Sequence, residues 1–265
     1  MNELSNRLKA VVALIPKCSV LCDVGCDHGY ISMEAVRSNL AAKAIATDVN
    51  KGPLLHACEN IASAGLFEQI ETRLSDGLAA LEKQEADCIV IAGMGGPLMR
   101  RILTEGHSKL SPDTVLVLQP QSEIPEFRRW LRHLHCSLQA EDMVCEDGKF
   151  YPMMRVLAGE ALCNLDENDE GVPFSQNSTG TVPQFASTLK DSRLEQRMLD
   201  EFGPFLIQMR HPILKEYILH QKKTDAVIEK QLQNDGKDRE EKLAWLDERR
   251  ALRERALSWY NEDTQ

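Results

Sequence analysis

Ser19-Val20-Leu21-Cys22-Asp23-Val24-Gly25-Cys26-Asp27-His28-Gly29-Tyr30 is the stretch whose reading decides the fold. Residues 19–23 form a short apolar run closed by an acid, the pattern of a buried strand, and residues 29–40 read as a helix. The turn between them therefore joins strand to helix. Its glycines let backbone approach a ligand with no Cβ in the way. The plain alternative for such a turn is an ordinary βα connection.

The same unit recurs downstream. Short strands are expected at 43–47, 70–74, 88–92 and 114–118, and helices at 53–64, from Gly95-Gly96-Pro97 onward, and at 126–135. The run at 88–92 is almost unbroken in its apolar character, as in a strand covered on both faces. Upstream, Leu4, Leu8, Val11, Val12 and Ile15 recur at helical spacing until Pro16. Residues 137–146 and 149–158 read as two strands joined at Asp147-Gly148, a tight-turn pair. The fold class is α/β: a Rossmann-like, mostly parallel sheet with a terminal β-hairpin. That combination suits a methyltransferase sheet better than a dinucleotide dehydrogenase.

Residues 1–163 make this first domain. Residues 164–188 lose all periodicity and are rich in Asp, Glu, Asn, Ser, Gly and Pro, an acidic linker or flexible loop. Residues 189–265 read as an α-helical, coiled-coil-like domain. Its helices at 189–202, 212–233 and 239–260 are interrupted at Gly203-Pro204 and at Asn234-Asp235-Gly236-Lys237. Two long helices with a short connection are expected to pack antiparallel.

The chemistry gathers where the strands end. A dinucleotide fold would place G-x-G-x-x-G at the first turn and offer helix N–H groups to a pyrophosphate. This chain supplies Asp23 and Asp27 instead. S-adenosylmethionine has no phosphate and carries an ammonium and a sulfonium, so acids here suit it. Asp48 follows Asp23 by 25 residues, at the end of the second strand, where this architecture sets a carboxylate on a ribose diol. Ser75-Asp76-Gly77-Leu78 follows the third strand, and Asp76 can accept from an adenine amino group; a plain Asp-Gly turn is the simpler reading. Ile91-Ala92-Gly93-Met94-Gly95-Gly96 follows the fourth. It lacks the Asn/Asp-Pro-Pro-aromatic motif of exocyclic-amine methyltransferases, and its small residues leave room for a flat base. Gln119-Pro120-Gln121 follows the fifth strand and faces the same edge.

Composition bounds the partners. With 31 Lys and Arg against 41 Asp and Glu, the net charge of −10 argues against a broad nucleic-acid surface and against binding to anionic membranes, while leaving room for a local basic patch. No run is long enough to span a membrane, and no signal peptide is visible. The eight cysteines form no CxxC pair; Cys18, Cys22 and Cys26 lie on a strand and its turn, which scatters their directions, so no metal site is expected. Scattered thiols suit a cytoplasmic protein.

At these residues the sequence resembles the bacterial tRNA (adenine-22-N1)-methyltransferases. The resemblance is carried by Leu4-Ser5-Asn6-Arg7-Leu8, Asp23 to Tyr30, Ser75 to Leu78, Ile91 to Gly96, Leu118-Gln119-Pro120-Gln121, Glu146-Asp147-Gly148-Lys149 and Phe202-Gly203-Pro204. It spans almost the whole chain, although the acidic linker looks longer than the family pattern. The resemblance implies methyl transfer from S-adenosylmethionine to N1 of an adenine in the D-loop region of tRNA; separately, the protein is expected to be a monomer and to hold no metal. It implies that Asp23, Gly25, Asp27, His28, Asp48, Asp76, Gly77, Ala92 and Gly93 line the cofactor. Asp27, His28, Gly93 and Met94 are the candidate catalytic positions, and Arg7, Gly95, Gly96 and Gln119 the candidate substrate contacts.

Neutral adenine carries a free in-plane lone pair at N1, so direct displacement needs no general base and depends on positioning and desolvation. The product ring is cationic, which makes Asp27 the first candidate for stabilising it; Asp27 holding the cofactor's ammonium is the equal alternative. N1 lies on the Watson–Crick edge, so the target must be unpaired or flipped. His28 either orients a ligand or is satisfied by local backbone, and Tyr30 reads as a core aromatic. Lys215, Lys222, Lys223, Lys230, Arg249, Arg250, Arg253 and Arg255 are interleaved with acids and read mostly as a solvated face, so Arg7 is the better single RNA contact. Three readings compete with this one: a small-molecule methyltransferase, a non-catalytic S-adenosylmethionine- or RNA-binding protein, and a nicotinamide oxidoreductase.

Overall fold

The computed structural model describes residues 4–165, 193–232 and 239–261. The chain divides into two compact units, Met1–Val182 and Pro183–Gln265. Most of the expected linker at 164–188 and the turn at 234–237 lie outside the described residues. Among those described, no helix is long and apolar enough to cross a membrane.

The first unit begins with α1 (Asn6–Ala13), whose N-terminus is capped by the Ser5 hydroxyl accepting from the Leu8 N–H at 3.3 Å. Then come β1 (Cys18–Val24), α2 (Tyr30–Arg37), β2 (Ala41–Asp48), α3 (Lys51–Ser63), β3 (Ile70–Leu74), β4 (Cys88–Met94) and α4 (Gly96–Glu105). β5 (Val115–Pro120), α5 (Ile124–His133), β6 (Ser137–Glu146), β7 (Lys149–Leu157) and a short α6 (Gly159–Cys163) complete it.

Three helices end before the periodicity of the sequence does, and for one reason. Asn39, Gly65 and His135 each take a positive φ just past the helix, after α2, α3 and α5. The next residue folds back, as Leu40 N–H to Ala35 O, Leu66 N–H to Ile61 O and Cys136 N–H to Leu131 O. This is the left-handed closure that satisfies the last carbonyls of a helix. α6 has five residues, too few for a helical period to show in the sequence.

The strands form one sheet in the order β3-β2-β1-β4-β5-β7-β6. Parallel pairing holds from β3 to β5, and β7 runs against both β5 and β6. Asp147 and Gly148 both adopt positive φ, 49° and 73°, which suits a two-residue hairpin turn and sets β7 antiparallel. Chain order reverses between β1 and β4, so their carboxyl ends open a crevice at the switch point.

Both faces of the sheet are covered, which is why the central strands run as continuous apolar segments. Ile89, Val90, Ile91, Leu116, Val117 and Leu118 are all essentially inaccessible. One core gathers Ile91, Leu103, Leu118 and Phe127 from β4, α4, β5 and α5; the other gathers Val11, Ile31, Ile61 and Val90 from α1, α2, α3 and β4. Of the closely spaced cysteines, Cys22 packs into the first and Cys26 into the second.

A buried ion pair crosses the first core: Arg128 on α5 donates from Nε to Glu141 Oε1 on β6 at 2.9 Å, with both side chains almost fully buried.

The second unit comprises α7 (Arg193–Phe202), α8 (Pro204–Gln208), α9 (Pro212–Leu232) and α10 (Arg239–Ser258). Gly203, at φ 89°, makes the break that Pro204 then follows, and α8 is a five-residue helix the sequence pattern does not reveal. Contacts between α9 and α10 climb one helix while descending the other: Gln221 with Arg253, Asp225 with Arg253, Glu229 with Arg250. The two helices are therefore antiparallel, as their short connection demands. Leu214, Ile218, Leu232, Leu246, Leu252 and Ala256 are buried, whereas Val227 is exposed. A polar layer interrupts the apolar seam: Arg253, at 2% exposure, pairs with Asp225, and Gln221 Oε1 accepts from both Arg249 and Arg253. Arg250 pairs with Glu229 and Asp247, and Arg255 with Glu195, so these four arginines are engaged within the unit.

Removing one member of a buried pair strands the other's charge. Arg128→Met is expected to destabilise the first unit by about 3–5 kcal/mol in urea unfolding, and adding Glu141→Leu to recover most of that loss.

Candidate active site

The crevice between β1 and β4 opens into a cavity of about 420 Å³, within the usual range for small-ligand sites. Its floor is the first βα turn. Gly25 turns the chain at φ +71°, and the N–H groups of Gly25 and Cys26 both donate to Thr47 O, at 2.8 and 2.9 Å. Two of the turn's backbone donors are thus already engaged. Asp27, His28 and Gly29 follow with positive φ of 22°, 48° and 72°. Non-glycine residues hold such angles only where the surroundings impose them. Here the Asn60 side chain donates to the His28 carbonyl at 3.0 Å, and Gly29 lies against Ala57 and Ile61 of α3.

This strained turn directs Asp27 to the cavity and His28 away from it. The His28 ring stacks between Tyr30 and His56, with centroids 5.4 and 5.5 Å away, and its Nε2 lies 3.5 Å from Asp27 Oδ1. His28 does not line the cavity; Tyr30, read from the sequence as a core aromatic, does.

Asp23, Asp48 and Asp76, from the ends of β1, β2 and β3, all line the cavity. Asp23 is buried, and its Oδ2 accepts from the Ser32 N–H and hydroxyl at 3.2 and 2.9 Å. Burial pushes its carboxyl up to about 7; the Ser32 bonds oppose that rise and nearby Asp48 adds to it. Asp48 is nearly buried and holds the Asn50 N–H at 2.8 Å. Asp76 is half exposed and faces Arg101 at 3.4 Å, while Gly77 takes φ +56° against Ile102.

The opposite wall comes from the β4 loop and α1. Ala92, Gly93 and Met94 line the cavity, and the Met94 methyl reaches over Gly25 so closely that a Cβ there would lie 2.3 Å from it. Arg7 and Leu8 of α1 close this side. The Arg7 guanidinium lies over the Tyr151 ring at 5.6 Å and donates to Gln119 Oε1 at 3.0 Å.

Three candidate substrate contacts lie elsewhere. Gly95 and Gly96 do not line the cavity; added Cβ atoms would lie 2.8 Å from Ser122 Oγ and Ser122 O, so these glycines admit the connection from β5 to α5. Gln119 is fully buried behind the wall. The residue of its motif that reaches the cavity is Gln121, one position past the end of β5, where the chain has left the sheet. Val49 and Leu98, exposed apolar side chains on the rim, were not singled out from the sequence. Their signal is position alone: one directly follows the β2 acid, the other sits in the first turn of α4.

A family profile described as a methyltransferase domain matches residues 4–154. The tRNA (adenine(22)-N(1))-methyltransferase of Bacillus subtilis is 41% identical over 162 residues, covering 60% of this chain and 68% of that one. The chain belongs to the tRNA (adenine-22-N1)-methyltransferase family. The crystal structure of the B. subtilis m1A22 tRNA methyltransferase TrmK matches 96% of this family member and 98% of its own chain, with a TM-score of 0.76 and 30% identity. A Streptococcus pneumoniae protein solved in complex with S-adenosyl-L-methionine matches 95% of it and 99% of its own chain, at TM-score 0.72 and 32% identity. Both matches extend through most of the chain, helical unit included.

In this family member the raised carboxyl of Asp23 has a consequence for stability. The folded state holds that proton more tightly than the unfolded chain, so stability falls as pH rises from the ordinary carboxylate range to about 7 and is level beyond it. Asp23→Asn is expected to flatten that slope and to melt at a higher temperature than the parent at pH 8, measured calorimetrically without ligand.

Proposed function

We propose that the protein transfers a methyl group from S-adenosylmethionine to N1 of adenine 22 in the D-loop region of tRNA, as the named activity of its B. subtilis relative suggests. The observation that carries the reading is the cavity at the switch point, walled by carboxylates from the ends of three successive strands. Such a site suits a ligand with an ammonium, a ribose diol and an adenine, and disfavours a pyrophosphate. Asp23 would take the ammonium, Asp48 the ribose, and Asp76 the adenine amino group, with the ring in the apolar slot between Val49 and Leu98. Gly25, Gly77, Ala92 and Gly93 would border this ligand where side chains would crowd it.

When bound, S-adenosylmethionine supplies an electrophilic methyl group on a sulfonium. The chain's own residues bind, orient and exclude water. Adenine N1 offers its lone pair directly, so no residue has to remove a proton first. The ring becomes cationic as it is methylated, and Asp27, held toward the cavity by its strained turn, would stabilise that charge. Gly93 and Met94 would border the reacting base, and Gln121 would meet its polar edge. Arg7 would contact the phosphate of the target nucleotide: among the described residues it pairs with no carboxylate, so its charge is available to an anion. His28 would act through the turn. The protein would work as a monomer in the cytoplasm, a setting consistent with its eight free thiols.

The deciding experiment is methyl transfer from labelled S-adenosylmethionine to unmodified tRNA transcripts, with the product base identified by mass spectrometry. N1-methyladenosine at position 22 is expected, with Asp27→Ala lowering the single-turnover rate about 10²–10³-fold while folding is retained. Tight cofactor binding with no transfer to any tRNA would overturn the substrate assignment and favour a small-molecule acceptor or a binding-only role. A second expectation concerns pH. An ammonium ligand needs Asp23 ionised, so S-adenosylhomocysteine should bind more tightly as pH rises through about 7, and Asp23→Asn should remove that dependence and weaken binding.

A further inference from the structure

Gln119 touches no part of the cavity, yet it holds two groups that do. Its Oε1 accepts from Arg7 Nη1 at 3.0 Å and from the Gly93 N–H at 3.1 Å, and its Nε2 donates to the Pro120 carbonyl at 3.3 Å. These partners set the sense of the amide, since only its oxygen can face two donors and only its nitrogen a carbonyl.

The surrounding sequence explains the need. Pro120 has no N–H to give the ladder between β4 and β5. The register there passes from Ala92 opposite Gln119 to Met94 opposite Pro120, so Gly93 is an extra residue with no partner. A bulge of this kind leaves its backbone outside the regular pairing and re-aims the chain beside a site. The Gln119 side chain supplies the missing acceptor to Gly93, which sits at φ +82°, and grips Arg7 with the same atom. Tyr151 supports the other side of the guanidinium.

We infer that Gln119 is a positioning residue for the methyl acceptor: it locks the Gly93 bulge and aims Arg7, so that the target nucleotide meets a fixed backbone and a fixed cation. This rests on the reading of the acceptor as a tRNA adenine. Gln119 contacts neither the nucleotide nor the methyl donor, and its substitution acts through Arg7 and Gly93.

The test compares Gln119→Leu, Gln119→Glu, Arg7→Ala and the Arg7→Ala/Gln119→Leu double variant. S-adenosylhomocysteine affinity is measured by calorimetry, tRNA-transcript affinity by fluorescence anisotropy with S-adenosylhomocysteine present, and methyl transfer under single turnover. Gln119→Leu is expected to weaken tRNA binding and slow transfer about a hundredfold, as for a small misplacement of reacting groups. Its S-adenosylhomocysteine affinity should stay within about threefold of the parent, and Arg7→Ala should cost less than about threefold more in the Gln119→Leu background, because coupled residues are not additive. Gln119→Glu keeps an acceptor for the Gly93 N–H but pairs Arg7 with a carboxylate, so it should keep S-adenosylhomocysteine affinity and lose tRNA affinity at pH values where that carboxylate is ionised; if Gln119→Leu fails to fold, Gln119→Met carries the same comparison. Parent-like tRNA affinity and rate in Gln119→Leu, an equal loss of S-adenosylhomocysteine affinity, or losses that multiply with Arg7→Ala would each overturn the inference. A parent protein that methylates no tRNA would overturn the functional reading instead. The positioning role is then decided by a crystal structure of Gln119→Leu, in which unmoved Gly93 and Arg7 would overturn it.

Discussion

Two backbone donors, the N–H groups of Gly25 and Cys26, converge on the single carbonyl oxygen of Thr47. That convergence ties the end of β1 to the end of β2 and turns these two donors away from the crevice. The cavity's polar lining takes one carboxylate from the end of each of the first three strands, with Arg7 and Arg101 beside them. Ligand preference at this switch point follows from these side chains together with the turn that places them, since a Rossmann-like fold by itself hosts many chemistries.

The site draws on the stability of the fold that holds it. Asp23 is buried with its carboxyl raised to about 7, a cost that a cationic ligand would relieve. Asp27 and His28 sit in a left-handed turn that Asn60 and α3 enforce. Gly93 leaves the β4 ladder opposite Pro120 and is held by Gln119. Each of these is a local violation of strand or turn preference, and each lies at the carboxyl edge of the sheet. Away from that edge the same strands are regular and fully covered, which lets the edge tolerate its strain.

The helical unit uses polar groups differently. Arg253 and Asp225 interrupt an apolar seam, and a buried pair of this kind adds little net stability compared with an apolar layer. It does disfavour other registers, because sliding α10 along α9 would leave a buried charge unpaired. The arginines of α10 are engaged with Gln221, Glu229, Asp247 and Glu195, so their number overstates the charge this helix offers to a partner.

Much of this was legible in the chain itself. Apolar runs located the central strands, because a strand buried on both faces must be apolar throughout, and the edge strand β3, although partly exposed, was found at its bounds of 70–74. The acids at or just past the ends of β1, β2 and β3 were legible too, since each closes or shortly follows a strand read from the chain. Helix ends at Asn39, Gly65 and His135 were less legible, because closure depends on a backbone angle that several residue types can adopt. α6 and α8 were too short to show a period. The amino-acid sequence thus determined the elements, their order and the sign of the charge at the site, all of which depend on neighbours along the chain. Tertiary structure alone decided that Gln119 lies behind the wall while Gln121 lines it, that Gly95 and Gly96 serve packing against Ser122, and that Arg7 meets Gly93. Those outcomes depend on a bulge, a close approach and an amide's partners, which join residues distant in the chain and leave no periodic trace in it.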